Sequence, residues 1–219
     1  MNKKILYAIL FVFLFSCKTH VNSDTVVYNN DFESANTTNI ENAILGQYNG
    51  SAVLGQYNSS SNAGNFKLTV NNLPKHDIIT ISFDLYIHDS WDGNKLAPYG
   101  PDIWQMLVDG KVYINTTFSN DICADGNFCS PQSYPFNYPN NYNNPKKGAY
   151  KTNLSGLCSV TGPNTTTQYK ITKTFTHTSS TLVLQCLDKL VQMAQSNTSD
   201  PGCDGSWSVD NINIKATTL

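Results

Sequence analysis

The chain has 219 residues, a net charge of −2 and 14% charged residues. This excludes the basic footprint of a nucleic-acid binder and the polybasic stretch of a membrane-surface protein. Asn, Ser, Thr, Gly and Tyr are abundant while Glu, Ala and Arg are sparse, which favours strands joined by turns over helices.

The N-terminus reads as a targeting segment. Lys3 and Lys4 precede an apolar run over residues 5–15. The run is too short to span a bilayer and suits a secretory signal. Residues 1–23 are therefore expected to be a signal peptide and 24–219 a single domain, a length adequate for one core. The segment ends in one of two ways. Leu14-Phe15-Ser16-Cys17 resembles a bacterial lipobox, with Cys17 as the lipidated residue, whereas cleavage near Val21-Asn22-Ser23 would release the domain. No later segment is apolar enough to span. The expected location is extracellular, either secreted or held at the cell surface as a lipoprotein.

Period-two patterns follow, separated by turn residues, as in a β-sandwich. The clearest is 79–87, where Ile79, Ile81, Phe83, Leu85 and Ile87 would face the core. Phe66, Leu68 and Val70 alternate before it, with Pro74 and Lys75 in the intervening turn. Further strands are expected over 26–32, 103–108, 112–118, 169–175, 181–187 and 207–214, with Asp109-Gly110 as a hairpin turn. Leu45-Gly46-Gln47-Tyr48 recurs as Leu54-Gly55-Gln56-Tyr57, a local echo and not a repeat architecture. A short helix is expected over 187–195. Segment 119–166 is long, polar and irregular, and stretches of that size are usually functional or pinned. The expected fold is an all-β antiparallel sandwich of jelly-roll type, with this long loop and at most one short helix.

Cysteine usage agrees with export. Cys123 with Cys129 is the first expected disulfide and Cys186 with Cys203 the second, leaving Cys158 over. Sequons at Asn36, Asn49, Asn58, Asn115, Asn153, Asn164 and Asn197 allow a glycoprotein, though a chain this rich in Asn, Ser and Thr produces them by chance.

Two constellations could bind a hard cation such as calcium. Asp89, Asp92, Asn94 and Asp102 cluster around Gly-bearing turns and offer oxygen ligands. The same residues equally suit turns whose carboxylates cap backbone N–H groups. Glu33, with Asp31 and Phe32, is expected in the first strand and Asp210 in the last; they become neighbours if those strands pair, and two buried like charges call for a cation or strong hydrogen bonds. Asp121 to Gly126 does not make an EF-hand, because Cys123 and Gln132 occupy ligand positions.

The strings Phe83-Asp84-Leu85-Tyr86, Asp89-Ser90-Trp91-Asp92-Gly93-Asn94, Gly100-Pro101-Asp102-Ile103-Trp104, Thr116-Thr117-Phe118-Ser119-Asn120, Gln132-Ser133-Tyr134-Pro135 and Ser206-Trp207-Ser208-Val209-Asp210-Asn211 occur in this order. The set resembles a module of large extracellular bacterial and protist proteins, a jelly roll of the carbohydrate-binding and laminin-G type. The resemblance implies a structural calcium held by Glu33 and Asp210. The extra cysteines and the long 136–166 stretch depart from it.

Trp91, Trp104, Tyr99 and Tyr134, with Tyr138 and Tyr142, are the candidate rings for stacking on a sugar, although the two tryptophans suit the core as well. Enzyme motifs of the G-x-S-x-G, H-E-x-x-H and P-loop kinds do not occur, so no catalytic residue is assigned. The expected function is a non-catalytic extracellular module, calcium-stabilised, recognising a glycan or another surface polymer. The alternatives are an adhesion domain for a cell-surface protein, and then a jelly-roll hydrolase or lyase.

Overall fold

The computed structural model describes residues 23–59, 63–121, 123, 129–157, 165–191 and 205–219. The expected signal peptide with Cys17, and Cys158 and Cys203, lie outside them. The described strands are β1 (Ser23–Asn30), β2 (Ile40–Glu41), β3 (Leu45–Tyr48), β4 (Ser51–Tyr57), β5 (Asn65–Val70), β6 (Ile78–Asp89), β7 (Ile103–Val108), β8 (Lys111–Thr117), β9 (Lys151–Leu154), β10 (Thr166–Thr176), β11 (Leu182–Lys189) and β12 (Gly205–Thr218). They form two antiparallel sheets. The larger runs β3-β4-β12-β6-β10-β9, with β1 also paired to β12, and the smaller runs β2-β5-β11-β7-β8.

The strict alternation of β6 explains its central place. Ile79, Ile81, Phe83, Leu85 and Ile87 are buried, while Thr80, Ser82, Asp84 and Tyr86 face outward. Each buried aliphatic side chain contributes about 1.5–3 kcal/mol. From the smaller sheet, Phe66, Leu68, Trp104, Met106, Leu182 and Leu184 pack against this face as one core. On β12, Trp207 and Val209 point inward opposite Ile87 and Leu85. The ladder between β12 and β6 then shifts between Asp210 and Asn213, with Asn211 at φ 55°. Asn tolerates that left-handed backbone, and the bulge bends the strand beside Asp210.

Two hairpins use mirror-image turns. Asp109-Gly110 has φ values of 50° and 77°, and Asn49-Gly50 has 50° and 84°. Both central residues at positive φ match the twist of the flanking strands. The second hairpin contains the four-residue echo: Leu45 to Tyr48 pair antiparallel with Ser51 to Leu54, so the two copies meet only where Leu45 stands opposite Leu54. A β-carbon on Gly46 would lie 2.6 Å from the Gly55 carbonyl oxygen, and one on Gly55 would lie 2.5 Å from the Ser208 Cβ. Close packing of β3, β4 and β12 therefore demands both glycines.

Three expectations need correction. Residues 187–189 finish β11 and are not helical, because β11 continues its ladders with β5 and β7 through Leu187 and Lys189. No helix occurs among the described residues. Asp31 to Glu33 lie beyond β1, which ends at Asn30, since Phe32 turns to φ 60° and buries its ring completely. Cys186 is a free thiol and not a disulfide partner for Cys203. It sits inward on β11 opposite Phe66 and Met106, and burial pushes its thiol pKa well up.

Candidate binding cavity and candidate cation site

The connections β6–β7 and β8–β9 meet at the end of the sandwich where β6 finishes and β12 begins. Buried amides hold them there. Asn120 Nδ2 is shared among the carbonyls of Ile87, Asp89 and Thr165 at 2.8–3.0 Å, while its Oδ1 accepts from Thr167 at 2.6 Å. Gln132 is fully buried. Its Oε1 accepts from the Lys146 N–H at 2.9 Å, the Ser119 N–H at 3.2 Å and the Tyr169 hydroxyl at 3.2 Å. Its Nε2 donates to the Lys147 carbonyl at 3.0 Å and the Tyr134 carbonyl at 3.2 Å. Asn94 Nδ2 bonds the Asn141 carbonyl at 2.8 Å, and its Oδ1 accepts from Ser133 at 3.1 Å and from Thr117. The long connection is thus a fixed cap, bonded to both sheets by side chains that leave few polar atoms unmet.

The cap bears an open cavity of about 610 Å³, within the range of small-ligand sites. Asp121, Tyr142, Asn143, Asn144, Lys146 and Thr152 line it, with Pro131, Pro145 and the Cys123–Cys129 disulfide. The expected first disulfide is therefore formed, with its Cα atoms 5.6 Å apart, and it serves as a wall. The Tyr142 side chain is 74% exposed. Lys146 is half-buried, and burial lowers its ammonium pKa while nearby Asp121 acts in the opposite sense. The arrangement offers an open ring beside a carboxylate, two amides, an ammonium and a hydroxyl. Tyr142 was legible as one loop ring among several. Asn143, Lys146 and Thr152 had no sequence signal, because Gln132 and the disulfide bring them together from a distance.

The other candidate rings are placed differently. Trp91 and Trp104 are core residues, 1% and 0% exposed, and cannot stack on a ligand. Trp91 Nε1 donates to the Ser206 carbonyl at 2.8 Å. Trp104 meets Trp207 and Phe118 edge-on, and its Nε1 has no hydrogen-bond partner among the described residues. Large rings fill the space between sheets better than any other side chain, which is why they are drawn inside. Tyr134 packs on Phe118 and Tyr169 at 5.0 and 4.9 Å as an anchor of the cap. Tyr99 is exposed but does not line the cavity.

The Asp89–Asp102 cluster is tied into its turns by hydrogen bonds. Asp102 accepts from the Asp92 N–H at 2.6 Å and the Val191 N–H at 3.1 Å. Asp92 pairs with Lys95 at 2.5 Å, and Asp89 accepts from the Thr165 hydroxyl at 3.4 Å. Among the described residues no three His, Cys, Asp or Glu side chains are grouped to hold a metal.

Glu33 and Asp210 do converge, on one hydroxyl. Ser51 Oγ lies 2.6 Å from Glu33 Oε1 and 3.2 Å from Asp210 Oδ2. Glu33 also accepts from the Ala52 N–H at 2.9 Å, and these bonds hold its pKa below the usual carboxylate value. Asp210 shifts upward, chiefly through burial, and further through the charges of Asp84 and Glu33, against bonds from the Asn211 N–H and Ser51. Asp84 stands opposite Asp210 across the ladder and accepts from Asn211 Nδ2 at 3.0 Å. Two acidic side chains around one hydroxyl, one of them destabilised as an anion, suit a hard cation that draws its remaining oxygens from backbone and water.

No protein-family model and no curated protein matches the chain. Among solved structures, it is similar to dimeric latent PorU from Porphyromonas gingivalis, at 10% identity and a TM-score of 0.40 over 74% of this chain and 11% of that one. It is also similar to a family 35 carbohydrate binding module from Clostridium thermocellum, at 14% identity and 0.35 over 88% and 97% of the two chains. A third is the CBM2 module of the evolved Dit of Lactobacillus casei BL23 phage J-1, at 8% identity and 0.42 over 90% and 98%.

Proposed function

We propose that this chain is a non-catalytic extracellular binding module that takes a glycan in the loop cavity. The observation that carries the reading is Tyr142, an exposed ring lining a cavity whose other walls supply amide, carboxylate, ammonium and hydroxyl groups. A pyranose offers the complement: an apolar face for the ring and hydroxyls for the polar groups. Asp121 is the single carboxylate among the described lining residues, whereas paired-carboxylate glycoside hydrolysis needs two across a cleft. Export is supported by the targeting-like N-terminus and by the disulfide, a bond favoured in oxidising compartments. In the same reading calcium is the structural cofactor, held by Glu33 and Asp210. Bound there, it would neutralise two carboxylates that the fold places together.

The test is a glycan array followed by calorimetric titration of the full chain with any hit. Tyr142→Ala should keep the wild-type melting temperature and lose binding about tenfold or more, the scale of one to two kcal/mol of stacking. Unchanged affinity in Tyr142→Ala would remove the cavity as the site. The second reading is a protein partner, favoured by Leu96 at 80% and Phe136 at 59% exposure on the same connections. An array without hits, together with capture of a partner that Leu96→Ser abolishes, would replace the first reading with the second.

A further inference from the structure

At the opposite end of the sandwich, where β6 begins, three turns are joined by a chain of side chains. His76 lies in the β5–β6 turn, His177 follows β10, and Asp109 lies in the β7–β8 turn. His76 Nδ1 is 2.6 Å from the Pro74 carbonyl oxygen. His76 Nε2 is 2.7 Å from His177 Nδ1. His177 Nε2 is 3.1 Å from Asp109 Oδ2. The two ring planes are within 13° of each other with centroids 5.0 Å apart, so the facing nitrogens meet nearly in plane. His76 is 3% exposed and the His177 side chain 7%.

Both ends of this chain are atoms that only accept: a peptide carbonyl and a carboxylate. His76 Nδ1 must therefore carry a hydrogen, and so must His177 Nε2. The short contact between the rings needs one hydrogen more, on either nitrogen. That makes three protons on four ring nitrogens, whereas two neutral imidazoles carry two. Two protons would leave a buried pair of lone pairs facing each other, a lone pair facing the Pro74 carbonyl, or a lone pair facing a carboxylate. Four would set two N–H groups against each other.

We propose that His76 and His177 form a proton-held clasp, sharing a single positive charge that is balanced by Asp109 and that ties the three turns of this pole together. The neighbouring charged groups on the packed elements are Asp77 and Lys75, which flank His76. The Asp77 carboxylate bonds the Leu219 N–H at 2.9 Å, and its carbonyl accepts from the His177 N–H at 3.0 Å. The Lys75 carbonyl accepts from Thr218 at 3.0 Å. Among the described residues, Asp109 alone places a carboxylate on a ring of the pair.

The clasp gives the fold a pH response with a defined sign. The unfolded chain carries up to two of these protons below about pH 6.5 and none well above it, whereas the folded clasp holds one, so the clasp's contribution to stability falls as pH rises above about pH 6.5. The test has two arms on the full chain. First, nitrogen-15 NMR of labelled histidine at about pH 6 should show three protonated ring nitrogens in His76 and His177; two would overturn the proposal. Second, urea unfolding of wild type, His177→Gln and Asp109→Asn compares folding constants at about pH 6.5 and pH 8. The advantage of wild type over each variant should shrink about tenfold or more on going to the higher pH. A ratio that does not move with pH would overturn it. His88 is present in all three chains, so its own titration cancels. If a variant fails to fold, the proton count in wild type decides alone.

Discussion

His88 is fully buried between β6, β10 and β12, with Nε2 2.7 Å from Ser208 Oγ and Nδ1 3.1 Å from Thr166 Oγ1. Both partners are hydroxyls, which can donate to or accept from a neutral ring, so no charge is needed to satisfy it. Burial pulls its pKa down to about 3. The unfolded chain takes up this proton near pH 6.5, and the folded chain does not until about pH 3. Between these values the unfolded state holds more protons, so His88 contributes stability above that window and loses it as pH falls through it. His88→Gln should therefore be less acid-sensitive than wild type between about pH 6.5 and 4, by an order of a few kcal/mol. Urea midpoints across that range check it; parallel curves for the two chains would contradict it.

The β3–β4 hairpin shows what sequence patterns carry and where they mislead. Gly50 at φ 84° has open space around the position of a missing β-carbon, while Gly46 has none. Gly50→Ala should cost about 1–2 kcal/mol, the left-handed backbone penalty alone. Gly46→Ala should cost more, because its β-carbon meets the Gly55 carbonyl on the paired strand. Urea midpoints give the ranking, and equal costs would show that the hairpin yields. Asn49-Gly50 is a strong hairpin signal, yet the four-residue echo around it draws attention to duplication instead of pairing. The strands themselves were legible. The alternation at 79–87 marks β6, and Asp109-Gly110 marks the turn from β7 to β8, because period two and turn chemistry are local. The tryptophans misled, since an indole suits a core and a sugar platform alike and only packing distinguishes them. The cap was illegible for a related reason. Gln132 bonds the N–H of Lys146, and Asn120 bonds the carbonyls of Ile87 and Thr165, contacts across many residues that no local pattern announces.

The whole molecule has two poles of different chemistry. Polar caps and the cavity occupy one, the histidine pair the other, and the Glu33–Asp210 pair links the turn after β1 to the bulge of β12. Calcium binding there would stabilise the sandwich by mass action, by about 2.7 kcal/mol at a hundredfold excess over the dissociation constant. The melting temperature of the full chain should rise with millimolar calcium and fall back with chelator, and Asp210→Ala should abolish the response. A wild-type melting curve indifferent to calcium would sink the cation assignment. It would leave Ser51 as the group that separates the two carboxylates.

β1 pairs antiparallel with the later half of β12, Ser23 opposite Thr218 and Asn30 opposite Ile212. The earlier half of β12 runs to the cavity pole, where Gly205 stands opposite Asp89. A mechanical load between the cavity and Ser23 therefore acts along this ladder, in shear, and its hydrogen bonds resist together. A load between Ser23 and Leu219 acts across it and opens the bonds one after another like a zipper. The same two strands are strong when the cavity pole is pulled away from Ser23 and weak when Ser23 and Leu219 are drawn apart.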